Sequence, residues 1–189
     1  MTTNTLSGTV RVEGTVTGTT MSTLVLDLQS TMVVDAVKLA NGTPCTFAHP
    51  GGVINITLPS PVAPGGNVAV DVTYHGAPAT GGFGYFVFGI RSGKRFAWSL
   101  SEPYGAREWW PCKDHPADKV DSVRVTVTVP SAYRAGSQAA KSMSWMPGVR
   151  SSSNWSIGRR RLEKNDWPTW GNSRSMATRV WEADRYSAG

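Results

Sequence analysis

The chain has 189 residues, enough to bury the core of one domain, and its 20 glycines, 12 prolines and many valines and threonines favour strands and turns. It contains no run of about 18 apolar residues, so no membrane-spanning helix and no membrane partner are predicted. The first residues, MTTNTLSGTV, contain neither a basic nor an apolar segment, so no secretory signal is predicted and the sequence assigns no compartment.

In chain order, residues 6–129 repeatedly alternate apolar and polar side chains, the pattern of half-buried strands. The predicted inward-facing residues are Val10 and Val12; Leu24, Leu26 and Leu28; Ile54, Ile56 and Leu58; Val68, Val70, Val72 and Tyr74; and Val123, Val125, Val127 and Val129. Turn signals at Asn41-Gly42, at Gly51-Gly52 and at residues 91–94 predict hairpins between successive strands. Together these patterns predict an all-β fold, either an antiparallel sandwich or a curved sheet.

The composition changes after residue 138. Residues 1–138 have a net charge of +1 and 28 Ile, Leu or Val residues, whereas residues 139–189 have a net charge of +5 and four such residues. Burial of only four aliphatic side chains would offset little of the conformational entropy that the segment loses on ordering. We therefore expect residues 139–189 to be an irregular tail, disordered or poorly packed. Its arginines and tryptophans could contact single-stranded nucleic acid, but they follow no sheet or helix pattern, so nucleic acid is not an expected partner.

Two cysteines and three histidines are the candidates for a metal site or a disulfide. Cys112 and His115 have the spacing of half a zinc site, but Cys45, His49 and His75 supply no second pair. We therefore expect no metal and no cofactor in this chain, and two separate buried thiols instead of a disulfide. Neither G-x-S-x-G nor His-Glu-x-x-His occurs, so no catalytic residue is predicted.

One loop, SEPYGAREWWPCKDHPADK at residues 101–119, combines aromatic bulk with charge between two predicted strands. It resembles a loop of the aminopeptidase N family of zinc metallopeptidases (gluzincins), which has the form Gln/Glu-Pro-x-x-Ala-Arg-x-x-x-Pro-Cys-x-Asp-x-Pro. The matching residues are Glu102, Pro103, Ala106, Arg107, Pro111, Cys112, Asp114 and Pro116, followed by VRVTVTVP. The strands upstream also resemble that family's amino-terminal domain, so the resemblance covers about residues 3–138.

The resemblance implies a saddle-like β-domain that packs against a thermolysin-like catalytic domain. It also implies that the loop reaches over the active-site cleft and that Glu102 binds the free α-amino group of a peptide substrate. The residue before a proline is restricted to extended conformations, which suits a fixed carboxylate. The remaining loop residues are expected to be structural: Pro103, Arg107, Trp109, Trp110, Pro111, Cys112 and Asp114.

The sequence also departs from the family. The exopeptidase loop Gly-x-Met-x-Asn and the zinc-binding His-Glu-x-x-His of the family's catalytic domain are absent, so we expect this chain to be inactive alone and the family's zinc to lie in the missing domain. We expect a domain at residues 1–138 and, at 139–189, a tail produced by a change of reading frame in a fragment. The alternative function is a non-enzymatic β-sandwich module that binds protein or sugar.

Overall fold

The computed structural model describes residues 4–82, 84–101, 103–115, 122–128, 140–142, 152–158 and 181–182. The strands in these ranges are β1 (Leu6–Thr15), β2 (Met21–Asp27), β3 (Met32–Leu39), β4 (Thr46–Ala48), β5 (Val53–Val62), β6 (Asn67–Gly76), β7 (Val87–Arg91), β8 (Lys94–Trp98), β9 (Ser122–Thr128), β10 (Ala140–Ser142), β11 (Ser152–Gly158) and β12 (Trp181–Glu182). In the same ranges the one helical element is a single 3-10 turn, Ala106–Glu108. No helix in the described ranges has the length and apolar character needed to cross a membrane.

Two sheets enclose the core. The larger sheet has the strand order β10-β11-β9-β12-β1-β6-β3, and the smaller has the order β2-β5-β4. Their pairings are antiparallel except for the short β12–β9 pair, which is parallel. Buried side chains of β1, β3 and β6 pack in one cluster with those of β2 and β5. The prediction of an all-β antiparallel sandwich is confirmed.

Alternation along each strand explains which faces meet in this core. The predicted inward-facing residues of β1, β2, β5 and β6, together with Leu28 just beyond β2, are all buried, and Tyr74 is among the largest fully buried side chains. Because successive side chains of a strand point to opposite faces, the polar residues between them are left toward solvent. On β9, Val123, Val125 and Val127 are half-buried, and Val129 lies outside the described residues.

Three predicted turns have different outcomes. Gly51-Gly52 joins β4 to β5 and residues 91–94 join β7 to β8, and both strand pairs are antiparallel hairpins as predicted. After Asn41-Gly42 the chain pairs with β3 only briefly, through a Lys38–Pro44 bridge. It then leaves for the other sheet, where β4 pairs with β5. The hairpin predicted at Asn41-Gly42 is therefore present but short: Leu39 N donates to Thr43 O at 2.8 Å and Cys45 N donates to Val37 O at 2.9 Å, while β3 also pairs along its length with β6.

Strands β10, β11 and β12 belong to the segment predicted to be an irregular tail. β11 pairs with β9 over seven residues, and β12 lies between β9 and β1 in the sheet order. The remaining residues of 139–189 lie outside the described part of the chain. The predicted domain boundary at residue 138 and the order of the tail therefore stay predictions.

Candidate functional site

The loop that follows β8 returns across the molecule to the end of β2. Asp27 N donates to Cys112 O at 2.7 Å, and Cys112 N donates to Asp27 O at 3.0 Å. These two bonds form an isolated antiparallel bridge between the last residue of β2 and the loop. Pro111, next to the bridge, is fully buried. The Pro-Cys pair of the motif thus joins the loop to the smaller sheet.

The Asp27 side chain makes a second set of contacts with the same loop. Its Oδ2 accepts a hydrogen bond from Asp114 N at 3.1 Å, and its Oδ1 lies 3.6 Å from Arg107 Nη1. Asp114 in turn accepts hydrogen bonds from the backbone N–H groups of Gly105 (3.0 Å) and Ala106 (3.3 Å). Asp114 therefore satisfies two free donors at the start of the 3-10 turn, and Asp27 fixes the backbone of Asp114.

Arg107 connects the 3-10 turn to the β4–β5 hairpin and to the segment after β2. Its Nη2 donates to the carbonyl oxygen of Gly52, and its own carbonyl oxygen accepts from Gln29 N at 2.8 Å. A Cβ at position 52 would lie 2.7 Å from Arg107 Nη2, so glycine is needed there for the guanidinium to reach the backbone. Gln29 also donates through Nε2 to the carboxylate of Glu108, at 3.2 and 3.4 Å.

The two adjacent tryptophans pack the loop against the core cluster. The Trp109 ring lies 5.4 Å from Phe86 and 5.8 Å from Trp110, both tilted, which is a favourable arrangement for aromatic pairs. Trp109 Nε1 donates to Ser101 Oγ at 3.0 Å, so the start of the loop is tied to its middle. Arg107 Nε and Trp110 Nε1 are buried, and no described residue accepts a hydrogen bond from either.

Gly105 allows the closest approach in the loop. Its φ is 102°, in the left-handed region, and a Cβ there would lie 2.0 Å from the ring of Tyr85. Both the backbone conformation and the space therefore require glycine at this position. The Tyr85 ring thus fixes where the loop passes the segment before β7.

Both cysteines are free and buried, which confirms the prediction of two separate thiols. Burial raises the pKa of the Cys112 thiol well above its usual range, and the nearby carboxylates of Asp114 and Asp27 raise it further, while Arg107 lowers it. Burial likewise raises the pKa of the Cys45 thiol. A thiol that stays protonated is a poor metal ligand and a poor nucleophile, so Cys112 is suited to packing.

The metal candidates of the sequence do not come together. His49 Nε2 bonds the carbonyl oxygen of Leu28 at 2.8 Å, His75 Nδ1 bonds Asp35 at 2.9 Å, and His115 packs edge-on against Tyr104. Within the described ranges, no three His, Cys, Asp or Glu side chains are grouped as a metal site requires. The residues described here do not fit zinc.

Glu102, the predicted substrate-binding residue, lies outside the described residues, as does Pro116. The neighbours of Glu102 are described: Ser101 bonds Trp109, and Pro103 is exposed. Other residues that sequence reasoning missed complete the loop's anchorage: Asp27, Gln29, Gly52, Tyr85 and Phe86. Asp27 and Gln29 sit among strand-like residues as ordinary outward-facing polar side chains, so the local sequence gives no signal of a partner about 80 positions away.

Comparison with known proteins gives a consistent result. The profile of the Peptidase M1 N-terminal domain matches residues 1–156, so the match extends beyond residue 138. No curated protein matches the chain. Among solved structures, the M1 zinc metallopeptidase from Deinococcus radiodurans is 28% identical, with a TM-score of 0.68, over 82% of this chain and 35% of that one.

Two further solved structures are similar. A variant of the Deinococcus radiodurans enzyme bound to a Tyr-Ser-Ala substrate is 27% identical, with a TM-score of 0.67, over 81% of this chain and 35% of that chain. A two-domain M1 zinc metallopeptidase variant bound to L-arginine is 28% identical, with a TM-score of 0.67, over 82% of this chain and 35% of that chain. The present chain therefore spans about a third of the length of these solved relatives.

Proposed function

Because the chain belongs to the M1 zinc metallopeptidase family through its N-terminal domain, we propose that it covers the active-site cleft of an M1 aminopeptidase and contributes Glu102 to recognition of the substrate's free α-amino group. Its partners are then the catalytic domain of the enzyme and the amino terminus of a peptide. Catalysis itself belongs to the catalytic domain.

The observation that carries this proposal is the anchorage of the motif loop. Two backbone bonds join Cys112 to Asp27, and the carboxylate of Asp114 holds the N–H groups of Gly105 and Ala106. On the amino-terminal side of position 102, Trp109 Nε1 donates a hydrogen bond to the hydroxyl of Ser101. A binding group must be held within a fraction of an ångström by its supporting residues, and a loop with fixed flanks meets that requirement.

The chemistry of the ligands supports a carboxylate in this role. Solved relatives bind Tyr-Ser-Ala and L-arginine, which share an α-amino group but differ in side chain. A carboxylate beside an ammonium makes a charge-assisted hydrogen bond worth about 1.5–3 kcal/mol. Such a bond favours a substrate with a free amino end over a blocked one, because an acylated amine has lost its positive charge.

In this proposal the zinc chemistry belongs to the catalytic domain. Within the described part of the chain, no three His, Cys, Asp or Glu side chains are grouped as a metal site requires. The domain's contribution is to bind and orient the substrate amine. An interaction of this kind raises kcat as well as affinity only if it strengthens in the transition state.

The test uses an enzyme in which this domain precedes an M1 catalytic domain, and compares Glu102→Ala with the parent. We expect kcat/KM for aminoacyl anilides to fall about 10- to 150-fold, the equivalent of the lost hydrogen bond. Glu102→Gln should retain part of the activity, because its amide oxygen still accepts a hydrogen bond but lacks the charge.

Unchanged melting temperature and zinc content in both variants serve as the control. A Glu102→Ala enzyme that is folded, contains zinc and keeps the parent kcat/KM would show that the loop has no role in binding the amine.

A further inference from the structure

Three residues of the motif loop are exposed, and two of them carry rings that contact each other. Within residue 101 and residues 103–115, Pro103, Tyr104 and His115 are exposed, and the other residues are buried or half-buried. Tyr104 is 47% exposed. Most of the described loop is therefore used for its own anchorage, and Tyr104 and His115 are the large side chains that it leaves open to solvent.

Tyr104 and His115 form one ring pair on a fixed backbone. Their ring centroids are 6.4 Å apart at an interplanar angle of 70°, which is an edge-to-face arrangement. The carboxylate of Asp114, the residue before His115, accepts hydrogen bonds from Gly105 N and Ala106 N, the two residues after Tyr104. Asp114 therefore ties the backbone that carries one ring to the backbone that carries the other.

The ring pair lies near the position proposed to bind the substrate amine. Tyr104 follows Glu102 by two residues, so their Cα atoms are at most about 7 Å apart. In a peptide substrate, the free amino group and the side chain of the first residue are bonded to the same Cα. A carboxylate at position 102 that holds the amine would therefore bring this side chain within reach of the Tyr104 ring.

Two rings at this position would recognise a planar side chain better than a small one. Aromatic rings attract other aromatic rings, and the face of a phenol ring also attracts a guanidinium group. The Tyr-Ser-Ala and L-arginine bound by the solved relatives carry groups of these two kinds. We propose that Tyr104 and His115 contact the side chain of the substrate's first residue and favour tyrosine and arginine over alanine there. This inference rests on the proposed function and adds a preference for the first side chain.

The experiment uses the enzyme of the proposed function, in which this domain precedes an M1 catalytic domain, and measures kcat/KM for the anilides of tyrosine and alanine. The ratio of the two values reports the contact with the first side chain, because a loss of folding, of zinc or of amine binding lowers both values together. Tyr104→Ala and His115→Ala should each lower the ratio about 2- to 10-fold, the effect of one aromatic contact.

Three further variants separate the ring from its surroundings. Tyr104→Phe keeps a ring and should leave the ratio unchanged, whereas Tyr104→Leu keeps an apolar side chain without a ring and should lower the ratio. His75→Ala is the matched control for His115→Ala, because it removes another exposed imidazole, from β6. It should leave the ratio and both values of kcat/KM unchanged.

The outcomes separate this inference from the proposed function. An unchanged ratio in Tyr104→Ala and His115→Ala, with both substrates still slowed in Glu102→Ala, would overturn the contact and leave the proposed function standing. Equal losses for the two substrates in Tyr104→Ala would show that the ring acts on the loop or the catalytic domain instead of the substrate, and would overturn the contact as well. Parent activity in Glu102→Ala would overturn the proposed function and, with it, the place assigned here to the substrate.

Discussion

At the scale of single residues, Asp27 shows how one side chain at the end of a strand positions a loop distant in sequence. Its backbone pairs with Cys112, while its carboxylate bonds Asp114 N and lies near Arg107. All three partners belong to the motif. The side chain is part-buried, so its hydrogen bond is worth more than a fully exposed contact.

Asp27→Ala should therefore lower the free energy of unfolding by about 1–3 kcal/mol, because the substitution leaves the backbone N–H of Asp114 without an acceptor and Arg107 without its carboxylate. Urea unfolding measures the change. Asp35→Ala is the matched control, since Asp35 pairs with His75 on an exposed surface and should change stability by less than about 1 kcal/mol. Equal effects of the two substitutions would contradict the anchoring role of Asp27.

At the scale of elements, the loop at residues 103–115 depends on the left-handed backbone conformation of Gly105. Gly105 combines a left-handed backbone with contact to the Tyr85 ring, whereas Gly18 has a similar φ of 82° and nothing within 4 Å of its Cβ position. Alanine at Gly18 therefore measures the backbone strain alone, and alanine at Gly105 measures the strain together with the steric overlap.

Gly105→Ala should destabilise the protein more than Gly18→Ala, whose strain alone costs about 1–2 kcal/mol. We expect Tyr85→Ala to relieve part of the Gly105→Ala effect in the double variant, because the substitution removes the ring that the new methyl group meets. Thermal unfolding of the four variants gives this coupling. If Gly18→Ala and Gly105→Ala lowered the stability equally, and Tyr85→Ala restored none of it in the double variant, the Tyr85 ring would not contact position 105.

The elements also show what local sequence predicts well. Alternation in β2, β5 and β6 predicts the buried face because a strand has a period of two whatever its neighbours are. The turn at Asn41-Gly42 forms the short hairpin that its sequence indicates, with Leu39 N bonded to Thr43 O and Cys45 N to Val37 O. The turn does not indicate that β4, a few residues later, pairs with β5 in the smaller sheet, because that pairing depends on residues distant in sequence.

The site shows the same limit. The motif predicts which loop matters, because its residue types and spacing are unusual. Local sequence does not predict that Asp27, Gln29 and Gly52 hold this loop, since the first two are ordinary outward-facing polar residues and Gly52 is recognisable only as part of a turn. Their roles arise only when the loop folds back across the smaller sheet.

At the scale of the whole molecule, the chain has the architecture of an anchored platform. The core lies between two sheets, and the loop at residues 103–115 is joined to the end of β2 by the Asp27–Cys112 bridge. In the proposed function, this anchored loop carries Glu102 toward the substrate amine.

The most direct measurement is the distance from the Glu102 carboxylate to the α-amino nitrogen of a bound Tyr-Ser-Ala, in a crystal structure of this domain joined to an M1 catalytic domain. The account predicts about 2.7–2.9 Å, the length of a charge-assisted hydrogen bond. A carboxylate more than about 4 Å from that nitrogen, beyond the range of an ion pair, would contradict it.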